Sequence, residues 1–154
     1  MPLSRSTSRR KKTTTPKIAV KRESGFYKQI REATQRLDRK ILLTRIENSV
    51  GAGIPDVLLC DEQGTFHFVE LKFLTGNAVT LQPSQVAWLS RHQHSPSWIL
   101  IKKQSKPEVP PEMFLYPASA AVDLKMDGLQ SVEPIHHQEH PFNWGVLFDL
   151  ICPR

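Results

Sequence analysis

Asp56, Glu70 and Lys72 are the side chains of this 154-residue chain whose types and spacing could do chemistry together. Pro55-Asp56 is separated by thirteen residues from Glu70-Leu71-Lys72. Glu70 and Lys72 are two apart in a segment that reads as a strand, so their side chains leave on the same face. The strand is otherwise apolar (Phe66, Phe68, Val69, Leu71, Phe73), and unpaired charges there would be expensive. Asp56 comes within reach across a hairpin whose turn is Asp61-Glu62-Gln63-Gly64. Two carboxylates and the Leu71 carbonyl would offer oxygen ligands to a hard octahedral cation, which suits Mg²⁺, with Mn²⁺ as a substitute. Such a cation acidifies a bound water and neutralises charge on a phosphate. Lys72 would orient or help deprotonate that water, or stabilise the transition state electrostatically; the sequence does not separate these roles. Such a set would suit phosphodiester hydrolysis. The competing plain reading is a surface hairpin with a Glu70/Lys72 pair in solvent. Phe66 and Phe68 on the same face argue against it.

The elements that must position these residues can be read from periodicity. Phe26, Ile30, Ala33, Leu37 and Ile41 recur at helical steps with Lys28, Arg31, Arg36 and Arg39 between them, predicting an amphipathic helix from near Glu23 to Leu42. Ile54 to Cys60 and Thr65 to Phe73 read as the two strands of the hairpin, the second apolar on both faces and therefore central in a covered sheet. Pro83 opens a second helix through Gln85, Trp88, Leu89 and His92. Trp98–Ile101 and Met113–Tyr116 read as further strands, separated by a loop at Pro107–Pro111. A short helix from Ala118 to Gly128, a polar loop through His140 and an apolar closing segment, Trp144–Ile151, complete the chain. The order predicts an α/β or α+β fold, a mixed central sheet flanked by helices.

The length suits one domain, and no apolar run approaches the roughly 20 residues of a membrane helix. Net charge is +6, but unevenly placed. Residues 1–22 hold eight basic side chains and no acidic one, including Arg9, Arg10, Lys11 and Lys12, and the remainder holds 13 basic against 15 acidic groups. Poor in large apolar residues, 1–22 reads as a disordered cationic arm that would tether the domain at 23–154 to nucleic acid without reading sequence; a merely solubilising tail is the alternative. Cys60 and Cys152 read as free thiols of a reducing cytoplasm. Gly51-x-Gly53 precedes a strand and is not a dinucleotide fingerprint. It reads as a flexible approach that lets the backbone come near Asp56. His136, His137 and His140 lack the spacing of a zinc finger. Trp88 and Trp98 read as core.

Three segments in order, Arg45-Ile-Glu-Asn-Ser-Val-Gly-Ala-Gly-Ile-Pro-Asp-Val, Phe68-Val-Glu-Leu-Lys and Leu81-Gln-Pro-Ser-Gln-Val-Ala-Trp-Leu, resemble the PD-(D/E)XK nuclease superfamily. The chain is most similar to its virus-type replication-repair nuclease (VRR-NUC) branch, over roughly residues 23–103. The resemblance implies a restriction-endonuclease-like core, with Asp56 and Glu70 as metal ligands, Lys72 as the catalytic lysine and Gln85 holding the active site or substrate. Members often add an acidic residue from the first helix. Glu23 is the first choice and Glu32 its rival, with a solvated pairing to Arg36 as the plain reading of Glu32. Glu47 could approach the metal or simply end a strand. Arg45 and Asn48 could contact phosphate or make structural hydrogen bonds.

The expectation is a metal-dependent endonuclease on duplex or branched DNA, in a bacterial or viral-host cytoplasm and on the nucleoid when DNA-bound. Relatives of this branch imply structure selectivity, with a Holliday junction or flap as the leading substrate and a homodimer to cut two strands. A sequence-specific homing or restriction-like endonuclease is the rival enzyme, and a non-cutting DNA-binding module the rival from another class. The motif does not exclude RNA.

Overall fold

The computed structural model describes residues 16–47 and 51–154, with side chains from Arg22 onward. Arg9, Arg10, Lys11, Lys12 and Asn48 therefore lie outside the described residues. Helix α1 (Pro16–Arg36) turns Phe26, Ile30 and Ala33 into the core, as the periodicity predicts. Both of its ends differ from the expectation. It begins at Pro16, inside the stretch read as a disordered arm, because proline is tolerated at a first helical position and Ile18-Ala19-Val20 follows it. It stops at Arg36 rather than Leu42. Leu37 and Ile41 keep helical spacing and still pack on the core, but Arg39 between them is drawn into ion pairs with Glu62 and Asp149. Leu42–Arg45 then forms strand β1, an element that the helical pattern concealed.

The remaining elements are β2 (Val57–Cys60), β3 (Phe66–Leu74), α2 (Pro83–Arg91), β4 (Ser97–Lys103), β5 (Glu112–Pro117), α3 (Ala121–Asp127), β6 (His136–Glu139) and α4 (Trp144–Ile151). The strands form one six-stranded sheet in chain order, β1-β2-β3-β4-β5-β6. Neighbours are antiparallel except β3 and β4, which run parallel and are joined through α2. The sheet is thus mixed and flanked by helices, as expected. Strand β6 corrects the polar loop read through His140: its residues pair with β5 from Leu115↔His136 to Glu112↔Glu139. An exposed edge strand needs no apolar alternation, which is why His-His-Gln-Glu gave no strand signal.

Each face of the sheet has its own core. Helices α1 and α4 cover Val57, Leu59, Val69, Leu71, Leu100, Met113 and Leu115. Helices α2 and α3 cover Ile99, Ile101 and Tyr116. Burial of β3 on both faces matches its apolar composition, with one exception: Phe66 is 55% exposed, so its supposed burial was a poor argument for that of Glu70. Cys60 and Cys152 are both free, and no described helix is long and apolar enough to cross a membrane.

The hairpin turn is held by its first residue. Asp61 Oδ1 accepts from the Gln63 and Thr65 backbone N–H groups at 3.0 Å each, and Oδ2 lies 2.8 Å from His67 Nε2. Gly64 takes φ +79°, the left-handed conformation the turn requires.

Candidate active site

The site arises because β2 is short and β3 is long. Pairing between them begins at Val57↔Val69, and Pro55 has no N–H with which to extend the ladder. Beyond Val69 no strand among the described residues pairs with the β2-facing edge of β3, and the Asp56 side chain occupies it. Asp56 Oδ2 accepts the Leu71 N–H at 2.9 Å. Strand geometry places the Leu71 carbonyl on that same edge. The Asp56 backbone is fixed in turn, its carbonyl accepting from Ile46 N–H at 2.8 Å.

Glu70 and Lys72 leave the opposite face to Leu71, toward α2. Glu70 is 0% exposed and Lys72 8%. Lys72 Nζ stands 3.3 Å from Glu70 Oε1, and Gln85 Nε2 donates to the same oxygen at 2.6 Å. The orientation of the Gln85 amide is determined by its other end. Its Oε1 accepts the Gln82 backbone N–H at 2.9 Å, a group that can only donate, so the NH₂ must face Glu70. Helix α2 thereby carries a fixed donor to the carboxylate. The second carboxylate oxygen, Glu70 Oε2, is buried with no hydrogen-bond partner among the described residues. Such an atom is costly unless something else satisfies it.

Glu23 completes the acidic set from α1. With Tyr27, Arg45, Asp56 and Leu71 it lines a cleft of about 50 Å³. Burial raises the carboxyl pKa values of Glu23 and Asp56; Lys72 opposes the rise in both, and the Leu71 N–H and Arg45 oppose it at Asp56. Glu70 is pushed up to about 8, chiefly by burial and next by the Asp56 carboxylate. Three oxygen-bearing acids that disfavour one another's charge, one with an unpartnered oxygen, form a donor set suited to a hard divalent cation. No group of three His, Cys, Asp or Glu among the described residues is preformed as a complete metal site. The fit is therefore of the Asp56 carboxylate, just before β2, and the Glu70 carboxylate on β3, with the Leu71 carbonyl and Glu23 in support.

The structure brings together Asp56, Glu70, Leu71, Lys72, Gln85, Glu23 and Arg45. Glu32 stays outside, paired with Lys28 at 4.0 Å rather than with Arg36, and Glu47 is exposed beyond β1. Tyr27 was missed by the sequence reading. It lies one helical turn after Glu23, and the Arg45 guanidinium sits 5.1 Å from its ring centroid. That four-residue step was the available signal. Gly53, at φ +91°, packs against the Ser84 backbone at the start of α2. Its closest approach is therefore to the helix carrying Gln85.

A family model described as VRR-NUC domain matches residues 3–99, beginning within the segment read as a separate arm. No curated protein matches the chain. Among solved structures, Archaeoglobus fulgidus Hjc, described as a Holliday junction resolvase from an archaeal hyperthermophile, is 13% identical. That match covers 79% of this chain and 88% of the other, with a TM-score of 0.41.

Proposed function

The chain belongs to the VRR-NUC domain family, and from that premise we propose that it is a divalent-metal-dependent endodeoxyribonuclease acting through Asp56, Glu70 and Lys72. The observation that carries the reading is Glu70: fully buried, one oxygen without a partner among the described residues, the other shared by Lys72 and Gln85. A magnesium ion held by Asp56 and Glu70, with the Leu71 carbonyl and Glu23, would supply an acidified water and charge neutralisation at the phosphate. The protein's own part is positional and electrostatic. Gln85 holds the Glu70 carboxylate in one orientation. Lys72 presents an ammonium group beside it, able to steer the attacking water and to stabilise negative charge on the phosphate oxygens. Asp56 is kept from swinging away by the Leu71 N–H. Arg45, braced on Tyr27, adds a positive group at the cleft for the substrate strand.

The finer reading is selectivity for branched DNA, with a homodimer supplying a second active site for the second strand. It rests on the family resemblance of the three motif segments. The experiment is cleavage of a labelled panel (four-way junction, flap, single strand, duplex and RNA) with Mg²⁺, Mn²⁺ or EDTA. Wild type should cut only with metal, and Lys72→Ala should lower the rate by about 10²-fold or more. Preference for one duplex sequence would remove the junction reading, and preference for RNA the DNA reading. DNA binding without cutting under any metal would leave a binding module.

A further inference from the structure

A second cleft, of about 240 Å³, lies beside the active site between Arg22 of α1, Phe73 and Thr75 at the end of β3, and the Gln104–Pro107 turn with Lys106. Its walls continue the elements that build the catalytic cleft. Arg22 precedes Glu23, and Phe73 follows Lys72. Arg22 and Lys106 line it, and the Phe73 ring in its wall is flanked by two cations. The Arg22 guanidinium lies 5.5 Å from the Phe73 ring centroid, and Lys102 Nζ approaches the same ring at 5.9 Å. Lys102 is 8% exposed and donates to Gln29 Oε1 at 2.6 Å. Among the described residues, none of Arg22, Lys102 and Lys106 has a carboxylate at ion-pair distance. A buried ammonium compensated only by an amide oxygen and an aromatic face leaves uncancelled positive potential. Thr75 and Ser105 add hydroxyls, while the Gln104 amide is turned to the Pro107 and Val109 carbonyls.

Resting on the nuclease reading above, we propose that this cleft seats a backbone phosphodiester of the substrate strand, with Arg22 and Lys106 as its charged contacts and Phe73 holding Arg22 in place. Thr75 stands three residues past Lys72, about 10 Å along an extended strand. At about 3.4 Å of duplex axis per nucleotide, the seated phosphate falls within about three nucleotides of the scissile bond. The contact recognises charge and not base identity. It fixes which way the strand runs across Glu70 and Lys72.

Binding of a labelled four-way junction in EDTA, measured by anisotropy against salt, tests the proposal with Arg22→Ala/Lys106→Ala. Both residues are exposed, so thermal melting should match wild type. The variant is expected to bind about tenfold more weakly at moderate salt, and its log–log salt slope should fall by about one to two. With metal present, the loss should fall on KM more than on kcat. A neutral methylphosphonate linkage, walked along the strand, supplies the second arm. At one position within about three nucleotides of the cut it should weaken wild-type binding and cost the variant nothing further. Unchanged affinity and slope, or additive losses at every position, would overturn the cleft as a phosphate seat. Cutting by wild type, run alongside, keeps the two ideas apart: wild type that binds but never cuts defeats the nuclease reading, while the binding arms still judge the cleft.

Discussion

Glu70 stands where a carboxylate is disfavoured, and that is the residue-scale signature of the site. Its pKa is pushed up to about 8 from an ordinary 4.5 by burial and by Asp56. The folded protein therefore keeps a proton that the unfolded chain releases above about pH 4.5. Folding stability falls as pH rises from there to about 8, and the loss is complete above it. Glu70→Gln removes this titration while leaving an oxygen for Gln85 Nε2 to meet. The metal-free variant should melt several degrees above wild type at pH 8, converge with it near pH 5, and cut nothing. Magnesium should narrow the gap at pH 8 by stabilising wild type, because a cation bound there displaces the proton. Melting curves at the two pH values, with and without magnesium, decide it. A variant less stable than wild type at pH 8 would mean that Glu70 is a satisfied structural carboxylate.

At the scale of elements, the site exists because β2 stops at Val57 while β3 continues to Leu74, and because the segment preceding β2 lies against the start of α2. Gly53 makes that second contact. A Cβ there would collide with the Ser84 carbonyl, and φ +91° is itself strained for any other residue. Gly53→Ala should cost about 2 kcal/mol, and it should also reduce cutting more than the lost stability explains, by separating Asp56 from Gln85. A variant equally active per folded molecule, with melting and activity measured on one preparation, would refute that coupling. The same elements show what the sequence discloses. The hairpin, the Glu70/Lys72 pair and the helix bearing Gln85 were legible, because strand alternation and proline at a helix start are local rules. Strand β1 was not, since Leu37 and Ile41 continue the helical phase of α1 while the backbone has already turned. Strand β6 was not, since an edge of His-His-Gln-Glu has no apolar face. The Arg22–Phe73–Lys102 cluster is assembled from three elements, and no local pattern announces it.

Across the whole molecule, one buried arginine fastens the regions that carry the site. Arg39, just beyond α1, donates to both Glu62 oxygens in the hairpin turn at 2.8 and 2.7 Å. Its Nη1 reaches Asp149 Oδ1 at 2.9 Å and the Cys152 carbonyl at 2.8 Å, at the end of α4. The hairpin holding Glu70, the helix holding Glu23 and the C-terminal helix are thus tied at one point, away from the catalytic cleft. Arg39→Met should leave the Cys152 carbonyl without this donor and lower Tm at pH 7 by about 5 °C or more. The pH dependence separates the clamp from mere packing. Glu62 is held down to about 2, first by its hydrogen bond from Arg39. A depressed carboxylate contributes stability above its unfolded pKa, near 4.5, and that contribution is lost as pH falls through about 2. Asp61 is also lowered, but by His67, and that pair remains in the variant. Wild type should therefore lose stability faster than Arg39→Met between about pH 5 and pH 2, so that the gap between their melting temperatures shrinks on acidification. Parallel curves over that window would show that Arg39 acts by filling space and that its charge does not hold the hairpin to the C-terminal helix.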